Sequence, residues 1–252
     1  GANNVAVGAA ALTTNTTGAD NVAVGKDALK DATTASYNTA LGALASENNT
    51  TGHSNVAVGR ASLNTNSTGD YNVAIGRSAL LENTTASNNT ALGYTALTTN
   101  STGGELTAVG NGALYSNTTG SYSVAVGSAA LEANTTGASN TAVGRFSLRA
   151  NTTGSNHTAV GRDALLVSTA GGYDTAIGDS VLKANTTGNY NTGVGASALA
   201  ANTTAANNTA VGYQAGLALT TSANNVAIGY QALSTETAYS ANTAIGYRAL
   251  KA

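Results

Sequence analysis

Small aliphatic and polar residues follow one another in a fixed order along this chain. A Val or Thr, an Ala, and a Val, Ile or Leu precede a glycine, as in Val5-Ala6-Val7-Gly8, Val73-Ala74-Ile75-Gly76 and Thr175-Ala176-Ile177-Gly178. Outward and inward positions that alternate over three residues predict a short β-strand. The glycine returns every 17 residues from Gly8 and Gly25 through Gly76, Gly127, Gly178 and Gly229 to Gly246, fifteen times with no insertion or deletion. Counted from this glycine as position zero, the consensus is G-x-x-A-L-x-x-N-T-T-G-x-x-N-(T/V)-A-(V/I/L). Position fifteen is Ala in every case but Gly193, and position four is Leu in every case but Ser46 and Gly216. None of the 22 charged residues (10 Lys and Arg, 12 Asp and Glu) falls at positions three, four, fourteen, fifteen or sixteen, which marks these as the buried positions.

A period of 17 is too short for a helix pair, and Asn, Thr and Gly are poor helix formers. One coil of a parallel β-solenoid fits, so the expected fold is all-β, about fifteen stacked coils forming a single continuous repeat domain over residues 1–252. The glycine at position zero is the corner, where Gly8, Gly25, Gly76, Gly127, Gly178 and Gly229 meet a backbone demand other residues resist, and N-T-T-G supplies a second turn. Asn at position thirteen, from Asn4 to Asn242, is placed to form a coil-to-coil amide ladder. Stacking at ~4.8 Å per coil gives a rod roughly 70 Å long. Gly1 enters at position ten of a coil and Ala252 leaves at position six, so the chain reads as a segment of a longer fibre.

Composition narrows the function classes. With one Phe, no Trp and no Met, the large side chains of a globular interior are missing, while 42% hydrophobic and 9% charged residues exclude ordinary disorder. A net charge of −2 offers nucleic acid and anionic membranes nothing to hold. No apolar run approaches the ~18 residues of a membrane span. The absence of Cys removes disulfides and thiolate metal sites.

The runs Ser123-Val124-Ala125-Val126-Gly127 and Asn72-Val73-Ala74-Ile75-Gly76 resemble the S-V-A-I-G signature of the head domains of YadA-like trimeric autotransporter adhesins, and similar repeats occur in phage tail fibres. The resemblance covers all fifteen coils. It implies a left-handed parallel β-roll, three chains side by side as a homotrimer, and exposed surfaces that bind a host-surface protein or glycan outside the cell, at a cell or virion surface. Two features depart from the family: the repeat is longer because of N-T-T-G, and Thr replaces Val before the alanine in nine coils.

Catalytic and metal chemistry find little footing. His53 and His157 stand at positions eleven and thirteen of coils six apart, roughly 29 Å along the stack, and read as solvent-facing turn residues. Asp174 and Asp179 flank one strand and read as solvated charges rather than a carboxylate pair. Gly171-Gly172-Tyr173-Asp174 is similar to a calcium-binding roll repeat, whose aspartate must recur in each coil; here it does not. Asn15-Thr16-Thr17 and Asn151-Thr152-Thr153 match a glycosylation triplet, but arise from the repeat itself and read as turn chemistry. The chain is therefore expected to be non-enzymatic and without cofactor or metal.

Exposed positions carry more. Tyr213, Tyr230 and Tyr247 share position one of successive coils, and Tyr173 and Tyr190 share position twelve, giving ladders that suit either a sugar or protein partner or simple mutual packing. Arg60 with Arg77, and Arg145 with Arg162, also fall at position one of adjacent coils, where like charges must splay into water or share an anion. This edge is the candidate ligand-contact surface.

Two packings satisfy the strand. If Ala74 points inward, then Val73 and Ile75, with Val126, Ile177, Ile228 and Ile245, form an outward stripe that an oligomer must cover. If Val73 and Ile75 point inward with Leu80, the chain can be a stable monomer. The reading is an extracellular structural or adhesive fibre module, with a tail-fibre receptor-binding shaft or an ice-binding solenoid as alternatives. The last rests on Thr at position eight in twelve of fourteen coils, although those ladders lie on turns.

Overall fold

The computed structural model describes residues 1–235 and 240–251. It is an all-β parallel solenoid of about 14 turns, with fifteen three-residue strands and no helix among the described residues. Residues Gly1–Ser123 form one compact unit and Val124–Ala252 another. The first holds β1 (Val5–Val7), β2 (Val22–Val24), β3 (Thr39–Leu41), β4 (Val56–Val58), β5 (Val73–Ile75), β6 (Thr90–Leu92) and β7 (Thr107–Val109). The second holds β8 (Val124–Val126), β9 (Thr141–Val143), β10 (Thr158–Val160), β11 (Thr175–Ile177), β12 (Thr192–Val194), β13 (Thr209–Val211), β14 (Val226–Ile228) and β15 (Thr243–Ile245). Within each unit every strand pairs in parallel with the next, like position over like: Ala57 faces Ala74 between β4 and β5, and Ala159 faces Ala176 between β10 and β11.

Ala points inward. Ala74, Ala91, Ala142, Ala159 and Ala176 are wholly buried, while Ile75 is 37% exposed and Ile177 41%. Positions fourteen and sixteen are therefore not buried in the single chain, despite carrying no charge. The interior instead comprises Ala at positions three and fifteen, the Leu column at position four, and polar columns at seven and thirteen, as Ala96, Leu97, Asn100 and Asn89 illustrate.

The corner behaves as its sequence requires. Every position-zero glycine has φ between +115° and +144°. A β-carbon on Gly76 would stand 2.4 Å from the Gly93 carbonyl oxygen. Less expected are the left-handed residues that have side chains. Positions two, four and twelve all adopt φ near +50° to +60°, as in Ser78 (57°), Leu80 (50°) and Tyr71 (57°). This conformation costs a non-glycine residue roughly 1–2 kcal/mol. Burying a leucine returns about 1.5–3 kcal/mol, which leaves a narrow margin at position four. Backbone bonds between coils add the rest: Leu80 donates to the Ala96 carbonyl at 3.0 Å, Ser78 to Arg60 at 3.0 Å, and Tyr71 to His53 at 3.1 Å. Left-handed residues at alternate positions thus turn successive N–H groups along the stack, where the neighbouring coil accepts them.

Departures from the consensus compensate one another in space. Position three is Val181 instead of Ala, and the same coil carries Gly193 where Ala is usual. A β-carbon on Gly193 would lie 2.5 Å from Val181 Cγ1. Similarly, Gly216 at position four leaves the Leu column open, and Leu219 from position seven fills it. A β-carbon on Gly216 would meet Leu219 Cδ1 at 3.1 Å and Leu199 Cδ2 at 3.0 Å.

Candidate functional site

The position-one edge forms the expected ladders. Tyr213 stacks on Tyr230 at a centroid distance of 5.3 Å, and Tyr230 on Tyr247 at 5.4 Å. Beside them Gln231 Nε2 donates to Gln214 Oε1 at 2.7 Å, and the Arg248 guanidinium lies 5.2 Å from the Tyr247 ring centre. The arginines splay. Arg162 turns to Asp179 at 2.7 Å, and this hydrogen bond, the largest influence, holds the Asp179 carboxyl below its ordinary value. Arg145 lies 4.1 Å from the Phe146 ring centre, and Arg77 lies 5.8 Å from that of Tyr94. Arg60 is exposed. Along this edge the Tyr rings stack, the Arg77, Arg145 and Arg248 guanidiniums lie beside aromatic rings, and Arg162 pairs with a carboxylate.

On the strand face, Val73 and Val126 are half-buried, and Ile75, Ile177, Ile228 and Ile245 are exposed. Leu41 and Leu92 extend this open aliphatic row in the first unit, at 47% and 44% exposure.

The polar columns hold the largest corrections. The position-thirteen ladder forms as expected: Asn38 donates both its backbone N–H and its Nδ2 to Asn21 Oδ1, at 3.0 and 3.1 Å, and Nδ2 also to the Gly52 carbonyl at 2.9 Å. N-T-T-G is more than a turn. Its asparagine enters the interior and builds a second ladder, with Asn83 Nδ2 on Asn66 Oδ1 at 2.9 Å and Asn100 Nδ2 on Asn83 Oδ1 at 3.1 Å. At two places where the next coil lacks the amide the acceptor is orphaned, whereas before Leu219 the Asn202 Oδ1 accepts the Ala205 N–H at 3.1 Å. Asn15 Oδ1 precedes Ala32 and Asn151 Oδ1 precedes Ser168, and neither has a partner.

His157 and Asp174 occupy the position-thirteen ladder and are buried, not solvated. His53 does lie on the exposed turn, its Nδ1 accepting the Ser36 N–H at 3.0 Å. Asp174 donates its N–H to His157 Nδ1 at 3.3 Å, which places the proton of the neutral ring on Nε2, an atom with no partner. Burial drives His157 down to about 4 and Asp174 up to about 7. Between those values the 3.6 Å contact from Nδ1 to Asp174 Oδ2 joins two uncharged groups. Three of the buried atoms without partners, on Asn151, His157 and Ser168, thus belong to two successive coils.

No family model, curated protein or solved structure matches the chain. Its surfaces must be judged from their own chemistry. Among the described residues no group of three or more His, Cys, Asp or Glu side chains could hold a metal ion. The position-eight hydroxyls are turned into the stack: Thr152 Oγ1 donates to Thr169 O at 2.8 Å, and Thr186 Oγ1 to Thr203 O at 2.9 Å. The triplet asparagine Asn151 is wholly buried, in accord with a turn and ladder role rather than a glycan acceptor. The missed signal was the recurrence of Asn at position seven, which is as regular as that at thirteen.

Proposed function

We propose that this chain is a non-catalytic structural and adhesive module that works outside the cell as a side-by-side homotrimer and attaches through repeated weak contacts. The observation that carries the reading is the open aliphatic row at position sixteen, where Leu41, Ile75 and Leu92 in one unit and Ile177, Ile228 and Ile245 in the other are each more than a third exposed. An apolar face repeated at every coil exceeds what a soluble monomer ordinarily leaves uncovered. A second and third copy presenting the same row would cover it by an interface repeating the coil spacing. The edge at position one then remains outside, and many weak contacts on a stiff array add through avidity. Light scattering of the purified chain at micromolar concentration tests the assembly. Three chains are expected, and Ile75→Asp with Ile177→Asp should give folded single chains; a folded monomer from the unmodified protein defeats the reading.

One observation favours a second reading. From β9 to β13, Thr141, Thr158, Thr175, Thr192 and Thr209 stand in register at position fourteen, beside Val or Ile at sixteen. Such a hydroxyl and methyl grid lies on paired strands rather than on the turns that hold position eight, and would suit ice if left bare. The two readings make opposite demands on one face. Ice shaping by a monomer supports the second, and a trimer without freezing hysteresis supports the first.

A further inference from the structure

One coil of the second unit is pared down at its surface. At positions nine to eleven the flanking coils carry Thr153-Gly154-Ser155 and Thr187-Gly188-Asn189, whereas the coil between them has Ala170-Gly171-Gly172. Loss of the side chains leaves a recess of about 370 Å³ floored by Gly171 and Gly172 and walled by Ser155, Asn156, Tyr173 and Tyr190. The floor is held by backbone. Ser155 donates to Gly171 O at 3.2 Å, Tyr173 to Ser155 O at 3.2 Å, and Tyr190 to Gly172 O at 3.2 Å, while Asn189 Oδ1 crosses the coil to accept the Gly172 N–H at 2.7 Å. A β-carbon on Gly172 would press to 2.8 Å from Ser155 O, so the floor cannot be raised by even one methyl without moving backbone.

The two tyrosines are stacked at 5.1 Å with 12° between their planes, and each is more than half exposed. Tyr190 covers one face of Tyr173. The other looks back to the preceding coil, whose position twelve carries the smaller Asn156, so an aromatic face is left open at the wall. We propose that this recess is a binding site for a neutral saccharide, one pyranose ring lying with its C–H face on Tyr173 and its hydroxyls toward the Asn156 amide and the serine and threonine hydroxyls of the rim. The electron-rich ring face attracts the partly positive C–H groups of a sugar, and amides and hydroxyls supply both donors and acceptors for its hydroxyl groups. No Asp, Glu, Lys or Arg lines the recess, which selects an uncharged sugar over a sialic or uronic acid. The volume lies near the small end of the roughly 300–1,000 Å³ of ligand pockets, and the rigid floor lessens the ordering that binding requires.

The assignment rests on the attachment reading for its purpose, but not for its test. Saturation-transfer NMR on the full chain, with cellobiose, maltose, lactose and chitobiose as probes at up to ~10 mM, is expected to give transfer to at least one of them, weak singly and strengthened by valency. Tyr173→Ala should weaken that binding at least ~10-fold with an unchanged circular dichroism spectrum, and Asn156→Gly, which keeps the left-handed backbone at φ 62°, should weaken it less. Tyr230→Ser should leave it unchanged. Failure of all four sugars to bind, transfer that survives Tyr173→Ala, or binding confined to a tyrosine-bearing peptide overturns the site. Surface attachment measured in parallel separates the two ideas: a parent chain that attaches but gives no transfer to any of the four sugars removes the site and leaves the adhesive reading standing, and Tyr173-dependent sugar binding by a chain that attaches to nothing does the reverse.

Discussion

Asp174 Oδ2 accepts the side-chain amide of Asn185 at 3.0 Å, across 11 residues of sequence. In an unbroken position-seven ladder that amide would turn to an asparagine one coil earlier, but Ser168 stands there. Asp174, a member of the other ladder, supplies the missing acceptor, and its Oδ1 still receives both Asn191 N–H groups at 2.8 and 3.1 Å. The two polar columns are therefore joined at this coil. Asn151 Oδ1, on the other side of Ser168, gains no such replacement.

Ser168→Asn should accordingly stabilise the second unit. The new amide reaches the orphaned Asn151 Oδ1, and a hydrogen bond made to a buried unsatisfied acceptor is worth about 1 kcal/mol or somewhat more. Ser168→Ala should be close to neutral, because the buried hydroxyl has no partner to lose. Urea midpoints of the two variants decide it; a midpoint for Ser168→Asn below that of the parent counts against the ladder account.

Val181 and Gly193 make a second coupled pair. Gly193→Ala alone drives a methyl to 2.5 Å from Val181 Cγ1 and should cost about 1–3 kcal/mol through overpacking. Val181→Ala alone opens a void and should also destabilise. Together they restore the consensus and should cost little. Denaturation of the two singles and the double gives the coupling directly, and additive losses would mean that the two side chains do not share space.

Much of this architecture could be read in advance, because the repeat is strict and each coil reports the same answer. Gly76 announces its corner by never varying, and Asn38 its ladder by recurring at one phase. What escaped was set by neighbours in space. Leu80 gives no local hint of a left-handed backbone, since the bond that holds it comes from Ala96 in the next coil. His157 and Asp174 carry the composition of turn residues, yet they stand where Asn140 and Asn191 stand in their own coils, and phase outweighed residue type. The recess at Gly171 and Gly172 was visible as a fragment, but its walls come from three coils.

The Tyr edge offers a test of recognition against packing. Tyr213, Tyr230 and Tyr247 stack on each other, and exposed stacked pairs contribute only about 0.5–1.5 kcal/mol apiece beyond burial. Replacing all three with Ser should thus leave the fold intact at room temperature while weakening attachment to the natural surface. Attachment as strong as the parent's would show that the ladder serves packing alone.

The buried pair sets a pH response that the single variants should expose. Burial holds folded His157 at about 4, below the 6.5 of the unfolded chain. Between those values the unfolded state takes the proton and the folded state refuses it, so this group makes the fold less stable as pH falls. Folded Asp174 lies at about 7 against an ordinary 3.8. Its contribution has the opposite sign: the folded state keeps a proton that the unfolded state releases, and stability is lost as pH rises from 3.8 through about 7. One proton of difference gives a slope of ~1.4 kcal/mol per pH unit, and from about 4 to 6.5 the two slopes oppose each other. These two groups together should thus contribute almost no pH dependence across that interval in the parent chain. Asp174→Asn removes one slope and should leave stability rising steadily with pH up to about 6.5, whereas His157→Asn should leave it falling up to about 7. With both replaced by Asn, the pair's dependence disappears and the ladder regains its usual residues. Urea midpoints measured at half-unit steps between pH 4 and 8 resolve these four profiles, and variants that all follow the parent would show that neither group titrates inside the fold.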